Sequence, residues 1–343
     1  MIRASVLRAA FALAFAIMAT DSNLVAAQQP ARADPNESAA SAASDPAEPE
    51  RKPLPPLPAG ETTSIPVPGA AVFGGDLAMV AQVFRPPGDG PFPVVVFSHG
   101  RAPVAADRAK LKVGISNAQL RYWLARGDAV VAPIRPGYGA TGGGDPENSG
   151  AHFDDFGRCK TTGDFRKTAV AGERTVEATL AWLRSQPWAD AHHVLLAGQS
   201  VGGLTTVAAG SQRLDGVVGY INFAGGTGGN PTLAPGHSCD PEQMTLIYRA
   251  LGRATALPNL WVYAENDEFW GPDAPVAWHA AFAEGGSRTT FIHAPPVATG
   301  SAHGLSTHAS RLWAPYVETF LATIDFPASL AAAPPAPARA ASH

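Results

Sequence analysis

Cysteine is scarce in this chain, with two residues, Cys159 and Cys239, among 343. Neither stands in a metal-ligand spacing, so no structural metal is expected. Charge is sparse as well: Asp, Glu, Lys and Arg make up 16%, and the formal net charge is -4. With no basic excess, nucleic acid is not an expected partner. The longest apolar run, Ala9 to Met18, is too short to span a bilayer stably. No repeat of fixed period is visible, which counts against a solenoid or a propeller. What remains is a chain 45% hydrophobic, long enough to bury one sizeable α/β core or two small ones.

The two ends differ from the middle. Arg3 and Arg8 precede the apolar run, and small residues ending in Val25-Ala26-Ala27 follow it. That is the layout of a secretory signal peptide over residues 1–27, cleaved after Ala27, with a retained anchor as the lesser alternative. Residues 28–58 are rich in Ala, Pro, Ser and Glu without apolar periodicity, and read as a disordered linker. Residues 329–343 form a second Ala/Pro tail, leaving 59–328 as the folded domain. Export would place both cysteines in an oxidising compartment, where one Cys159–Cys239 disulfide is the simplest expectation and two unrelated thiols the alternative.

Inside those limits, strand-like and helix-like segments alternate. Thr63–Val67 and Met79–Phe84 read as β-like runs, and Phe92–Ser98 as a β-branched apolar strand of the kind buried on both faces. Helices are expected near Asn117–Arg126, Lys167–Ser185, Pro241–Gly252, Pro272–Glu284 and Ser310–Ile324. In the second of these, Val170, Val176, Leu180 and Leu183 recur at roughly helical spacing and are expected to be buried. Further strands are expected at Ala129–Pro133, Val217–Phe223, Leu260–Ala264 and Thr289–His293. The long Gly- and Asp-rich stretch 139–165 is expected to be a functional loop. This order predicts an α/β fold with a mostly parallel central sheet and helices on both faces.

The most informative stretch is His193 to Gly203, an apolar strand that breaks into Gly198-Gln199-Ser200-Val201-Gly202. This is the G-x-S-x-G pattern, in which a tight strand-to-helix turn lifts a serine oxygen out of the sheet. A serine hydroxyl attacks a carbonyl only when a base takes its proton and an acid orients that base. Asp267, just past a strand end, is favoured as the acid over Glu265 and Glu268. His303, in the small-residue loop Gly300-Ser301-Ala302-His303-Gly304, is favoured as the base over His293 and His308. An oxyanion needs two preset donors: the Val201 amide is one, and the Arg101 amide in the turn Ser98-His99-Gly100-Arg101 is the other. All of these follow strand ends, so they are expected on one sheet edge. Arg135 and Tyr138 follow another strand end there. They are expected either to contact substrate or, alternatively, to form a salt bridge to Asp154-Asp155 and a packed aromatic.

With these pieces in place, the run from about Phe92 to Ile324 resembles an α/β-hydrolase, close to the dienelactone hydrolase and prolyl-oligopeptidase-like branches. The matching motifs are Ser98-His99-Gly100, Arg135-Pro136-Gly137-Tyr138-Gly139, the turn at Ser200, Asp267 and His303-Gly304. The resemblance implies that fold and a Ser-Asp-His triad. One departure is that dienelactone hydrolases use a cysteine nucleophile, whereas this chain has serine. The resulting expectation is an exported serine hydrolase acting on a small-molecule acyl substrate, an ester first and an amide or peptide second, with no cofactor. A binding protein on a hydrolase scaffold is the alternative of another class.

Overall fold

A computed structural model describes residues 55–71 and 74–328. The signal segment, residues 28–54 of the linker and the tail 329–343 lie outside the described residues. Leu57, at the end of the stretch read as linker, already packs against the core.

One sheet of eight strands organises the domain. In chain order these are β1 (Glu61–Val67), β2 (Leu77–Phe84), β3 (Phe92–Ser98), β4 (Ala129–Pro133), β5 (Ala189–Gln199), β6 (Val217–Phe223), β7 (Asn259–Ala264) and β8 (Thr289–Ala294). Across the sheet they run β1-β2-β4-β3-β5-β6-β7-β8. β1 and β2 pair antiparallel, as do β2 and β4, and every later pairing is parallel. Burial follows from this topology. Every residue of β3, β4 and β7 is buried, because parallel interior strands carry helices on both faces. β1 instead approaches an alternation of exposed and buried residues, as an edge strand does.

The main helices are α1 (Asn117–Arg126), α2 (Phe165–Leu183), α3 (Val201–Gly210), α4 (Pro241–Ala254), α5 (Asp273–Ala283) and α6 (Ser310–Thr323). They form two groups: α1 packs with α6, while α2 packs with both α3 and α4, and α4 with α5. Their starts are written in the sequence. Ser116, Asp164 and Asp240 each cap a helix by accepting a backbone N–H from its first turn, at 3.3, 3.1 and 2.9 Å. One expected core residue is displaced. Val170 is exposed, because the buried stripe of α2 runs through Phe165, Ala169, Gly172, Val176, Leu180 and Leu183, and Val170 points about 100° away from Ala169.

The connection after β4 departs most from a plain loop. It folds into a short hairpin of His152–Phe153 with Cys159–Thr161, and a second hairpin, Gly229–Asn230 with Ala234–Ser238, follows β6. A disulfide between Cys159 and Cys239, with Cα atoms 5.0 Å apart, ties the first hairpin to the residue just after the second.

Strand order reverses at β3, which has β4 on one side and β5 on the other. The carboxyl ends of β3 and β5 therefore border the crevice where open α/β sheets place their sites. The register Ser98↔Gly198 brings the two strand ends level, so the turns that follow them are neighbours.

Candidate active site

Ser200 occupies a left-handed backbone conformation, φ 59° and ψ -126°, between β5 and α3. A non-glycine residue there is strained, and the strain is held by close backbone packing. A Cβ on Gly198 would lie 2.2 Å from the Gly202 carbonyl oxygen, and one on Gly202 would lie 2.0 Å from that of Ser98. The turn can therefore form only where both flanking residues are glycine. The amide of Ser200 donates to the Phe223 carbonyl at 3.0 Å, which anchors the turn to β6. Val201 begins α3, so its amide is one of the first-turn donors with no partner inside the helix.

The favoured acid and base meet. His303 Nδ1 lies 3.0 and 3.1 Å from the two carboxylate oxygens of Asp267, and both side chains are buried. Asp267 is held in turn by the Phe269 and Trp270 amides, which donate to its Oδ1 at 2.8 and 3.3 Å. The His303 ring stacks on Phe269 at 4.0 Å and meets Trp270 edge-on at 5.3 Å. Its other nitrogen, Nε2, is buried and has no hydrogen-bond partner among the described residues.

None of the rival residues forms such a pair. Glu268 accepts the Ser301 hydroxyl on Oε1 and the His303 amide on Oε2, the latter at 3.0 Å. Partial burial opposes its ionisation, yet these two donors hold its carboxyl below the usual range. Glu265 is exposed. His308 is exposed beside Thr307, and His293 lies within β8.

The turn after β3 is braced from below. His99 Nδ1 donates to the Gly100 carbonyl at 2.7 Å, and its Nε2 accepts the Arg135 amide at 3.2 Å. Burial, with the Arg135 charge adding to it, pulls His99 well below the ordinary imidazole range, against the opposing bond to Gly100. It is thus a neutral structural group. Arg135 donates to the His99 carbonyl at 2.7 Å and pairs with Glu147, both side chains being 1% exposed. Tyr138 donates to the same carboxylate at 2.8 Å and meets the His99 ring edge-on. The salt-bridge partner of Arg135 is therefore Glu147 rather than Asp154-Asp155, and neither Arg135 nor Tyr138 lines the cavity in front of Ser200. Their substrate-facing reading is replaced by support of the His99-Gly100-Arg101 turn. The Arg101 side chain makes two bonds of 2.7 Å to Asp145, which Arg108 also contacts at 2.9 Å.

A cavity of about 310 Å³ opens onto Ser200, Val201 and Arg101. His152 and Phe153 of the first hairpin, the strip Gly226–Asn230 and the aromatics Phe269 and Trp270 wall it. The Cys159–Cys239 bond joins the first hairpin to the segment just beyond the second, which begins at the end of that strip. Among the described residues no group of His, Cys, Asp or Glu could hold a metal ion, and no helix is long and apolar enough to cross a membrane.

Sequence reasoning missed four residues. Gln199 lies inside the motif itself as an unassigned position, Phe269 and Trp270 stand two and three residues after the acid, and Glu147 sits in the loop read only as Gly- and Asp-rich. Their partners are set by the fold, so only the closeness of the first two groups to the triad could have flagged them.

No protein-family model and no curated protein matches the chain. Solved structures do. The Pyrococcus furiosus esterase Pf2001 superposes with a TM-score of 0.50 at 11% identity, covering 77% of this chain and 93% of that one. A Mycobacterium tuberculosis puromycin-hydrolyzing peptidase superposes with a TM-score of 0.51 at 20% identity, covering 82% of this chain and 43% of that one. The chain thus spans less than half the length of that peptidase. At such identities the likeness is one of fold alone: the chain has the α/β-hydrolase type of fold, with a mostly parallel central sheet.

Proposed function

We propose that this chain is an exported serine hydrolase that cleaves carboxylic esters through a covalent acyl-enzyme. Ser200 Oγ attacks the carbonyl carbon as His303 Nε2 takes its proton, and the amides of Val201 and Arg101 receive the charge that develops on the carbonyl oxygen. His303 then passes the proton to the leaving alkoxide. A water molecule repeats the sequence on the acyl-enzyme and releases the acid. Asp267 fixes the tautomer with Nδ1–H and stabilises the imidazolium. The observation that carries this reading is the conjunction of the strained Ser200 with a buried Asp267–His303 pair whose Nε2 has no hydrogen-bond partner among the described residues. Catalytic hydrogen bonds of free enzymes commonly tighten only when substrate is bound.

A cavity of about 310 Å³ lies at the small end of ligand sites and favours a small or medium acyl group. Export is supported by the signal-like residues 1–27 and by the disulfide, which persists in oxidising compartments. A peptidase or amidase reading draws on the fold likeness to the puromycin-hydrolyzing peptidase. A panel of p-nitrophenyl esters and aminoacyl anilides separates the two: ester turnover at least tenfold above that of anilides is expected, and the reverse order would replace ester with amide. Ser200→Ala should reduce turnover to background, and retained activity would overturn the assignment.

A further inference from the structure

Glu268 and Gln199 are polar residues that the triad does not use, and each adjoins a triad member, Asp267 and Ser200. Both reach the backbone of the same residue, His303. Glu268 Oε2 accepts the His303 N–H at 3.0 Å, while Gln199 Nε2 donates to the His303 carbonyl at 3.0 Å. The loop they hold, Gly300-Ser301-Ala302-His303-Gly304, has no large side chain other than the imidazole with which to pack itself. Gly300 sits at φ 79°, and the Ser301 carbonyl and hydroxyl accept the Gly304 amide at 3.1 and 3.2 Å. The Ser301 hydroxyl in turn donates to Glu268 Oε1. Gln199 also packs under the oxyanion turn: a Cβ on Gly100 would stand 2.6 Å from its Oε1.

We propose that Glu268 and Gln199 are positioning residues that clamp the two ends of the His303 backbone, fixing the imidazole between Ser200 and Asp267. Resting on the serine-hydrolase reading above, this assigns a second task to each of two dipeptides: Gln199-Ser200 supplies the nucleophile and one clamp, Asp267-Glu268 the acid and the other. The imidazole swings on its own Cα, so a peptide free to shift by an ångström would misplace Nε2 from the serine proton. Misplacement of that size lowers the chemical step and leaves substrate binding largely intact.

The test is a double-mutant cycle with p-nitrophenyl acetate as substrate. Glu268→Ala should lower kcat about 10- to 100-fold with KM within about threefold, as expected for losing a charge-assisted hydrogen bond. Glu268→Gln should recover most of this, because an amide oxygen still accepts the His303 N–H. Gln199→Ala should reduce kcat in the same direction. Added to His303→Ala, Glu268→Ala should cost less than about twofold, since a clamp that acts through the imidazole has nothing left to position. The full penalty on that background, or wild-type kcat in Glu268→Ala, would overturn the proposal. Should Glu268→Ala fail to fold, Gln199→Ala carries the same cycle. Wild-type turnover in His303→Ala would instead contradict the triad itself, which keeps the two failures distinct.

Discussion

The buried ion pair beneath the His99-Gly100-Arg101 turn offers a perturbation whose size can be worked out. Arg135 and Glu147 are each 1% exposed, and Glu147 also accepts the Tyr138 hydroxyl at 2.8 Å. Glu147→Ala would leave a guanidinium in the interior with the His99 carbonyl as its remaining named acceptor, and a phenol without its carboxylate. Removing one partner of a buried pair costs about 3–5 kcal/mol. At about 2–4 °C per kcal/mol for a domain of this size, the midpoint of thermal unfolding should fall by about 10 °C. Activity should fall too, because Arg135 holds the His99 carbonyl and its backbone amide bonds to the His99 ring. If the Arg101 amide is the oxyanion donor proposed above, a turn that no longer aims it forfeits part of a contribution worth about 10²–10³-fold in kcat. The double variant Arg135→Met, Glu147→Leu separates the two effects: it should regain most of the stability, since apolar side chains can replace a buried pair, without regaining kcat. Thermal melts by circular dichroism and ester hydrolysis at saturating substrate provide both readouts. An unfolding midpoint within about 2 °C of wild type for Glu147→Ala, together with unchanged kcat, would refute the bracing role.

Two further outcomes follow from features away from the triad. The disulfide closes a loop 80 residues long, so removing it through Cys159→Ser should cost about 4 kcal/mol in the loop-entropy account, read as a lower denaturant midpoint. Because the bond staples segments beside the cavity, activity towards bulky acyl esters should change more than towards acetate, and equal changes would separate the staple from the cavity. Asp128, fully buried, has its carboxyl pushed up to about 7, chiefly by burial and against the pull of the Arg126 charge. Its folded value exceeds an unfolded value of about 3.9, so the protein binds a proton on folding and loses stability as pH rises from about 4 to about 7. Asp128→Asn should therefore gain stability relative to wild type across that window, and a difference that stayed flat or reversed would contradict the burial argument.

Much of the sheet was legible because its interior strands are buried on both faces and so appear as unbroken apolar runs. Ala129–Pro133 and Val217–Phe223 begin and end in the structure where their sequence signals do. The short hairpins flanking the cavity were not legible: strands of two to five residues have little periodicity, and their partners are fixed by the disulfide and by packing. At the site, Ser200 and its two glycines could be read from local sterics, and Asp267 and His303 from their places after strands. Arg135 and Tyr138 show the opposite case. Their position past a strand end placed them near the site, but only the fold shows Glu147 closing over them and turning them inward. Glu268 could be seen as a candidate carboxylate, yet its actual partners are a backbone amide and a hydroxyl that lie more than 30 residues away.

The central claim, that Ser200 is a nucleophile activated by His303, is tested most directly by labelling the protein with a fluorophosphonate and locating the adduct by peptide mass spectrometry. The account predicts one adduct per chain on the peptide containing Ser200, lost in Ser200→Ala and formed at least about 10³-fold more slowly in His303→Ala. An adduct elsewhere, or no adduct on a protein that still hydrolyses p-nitrophenyl acetate, would contradict it.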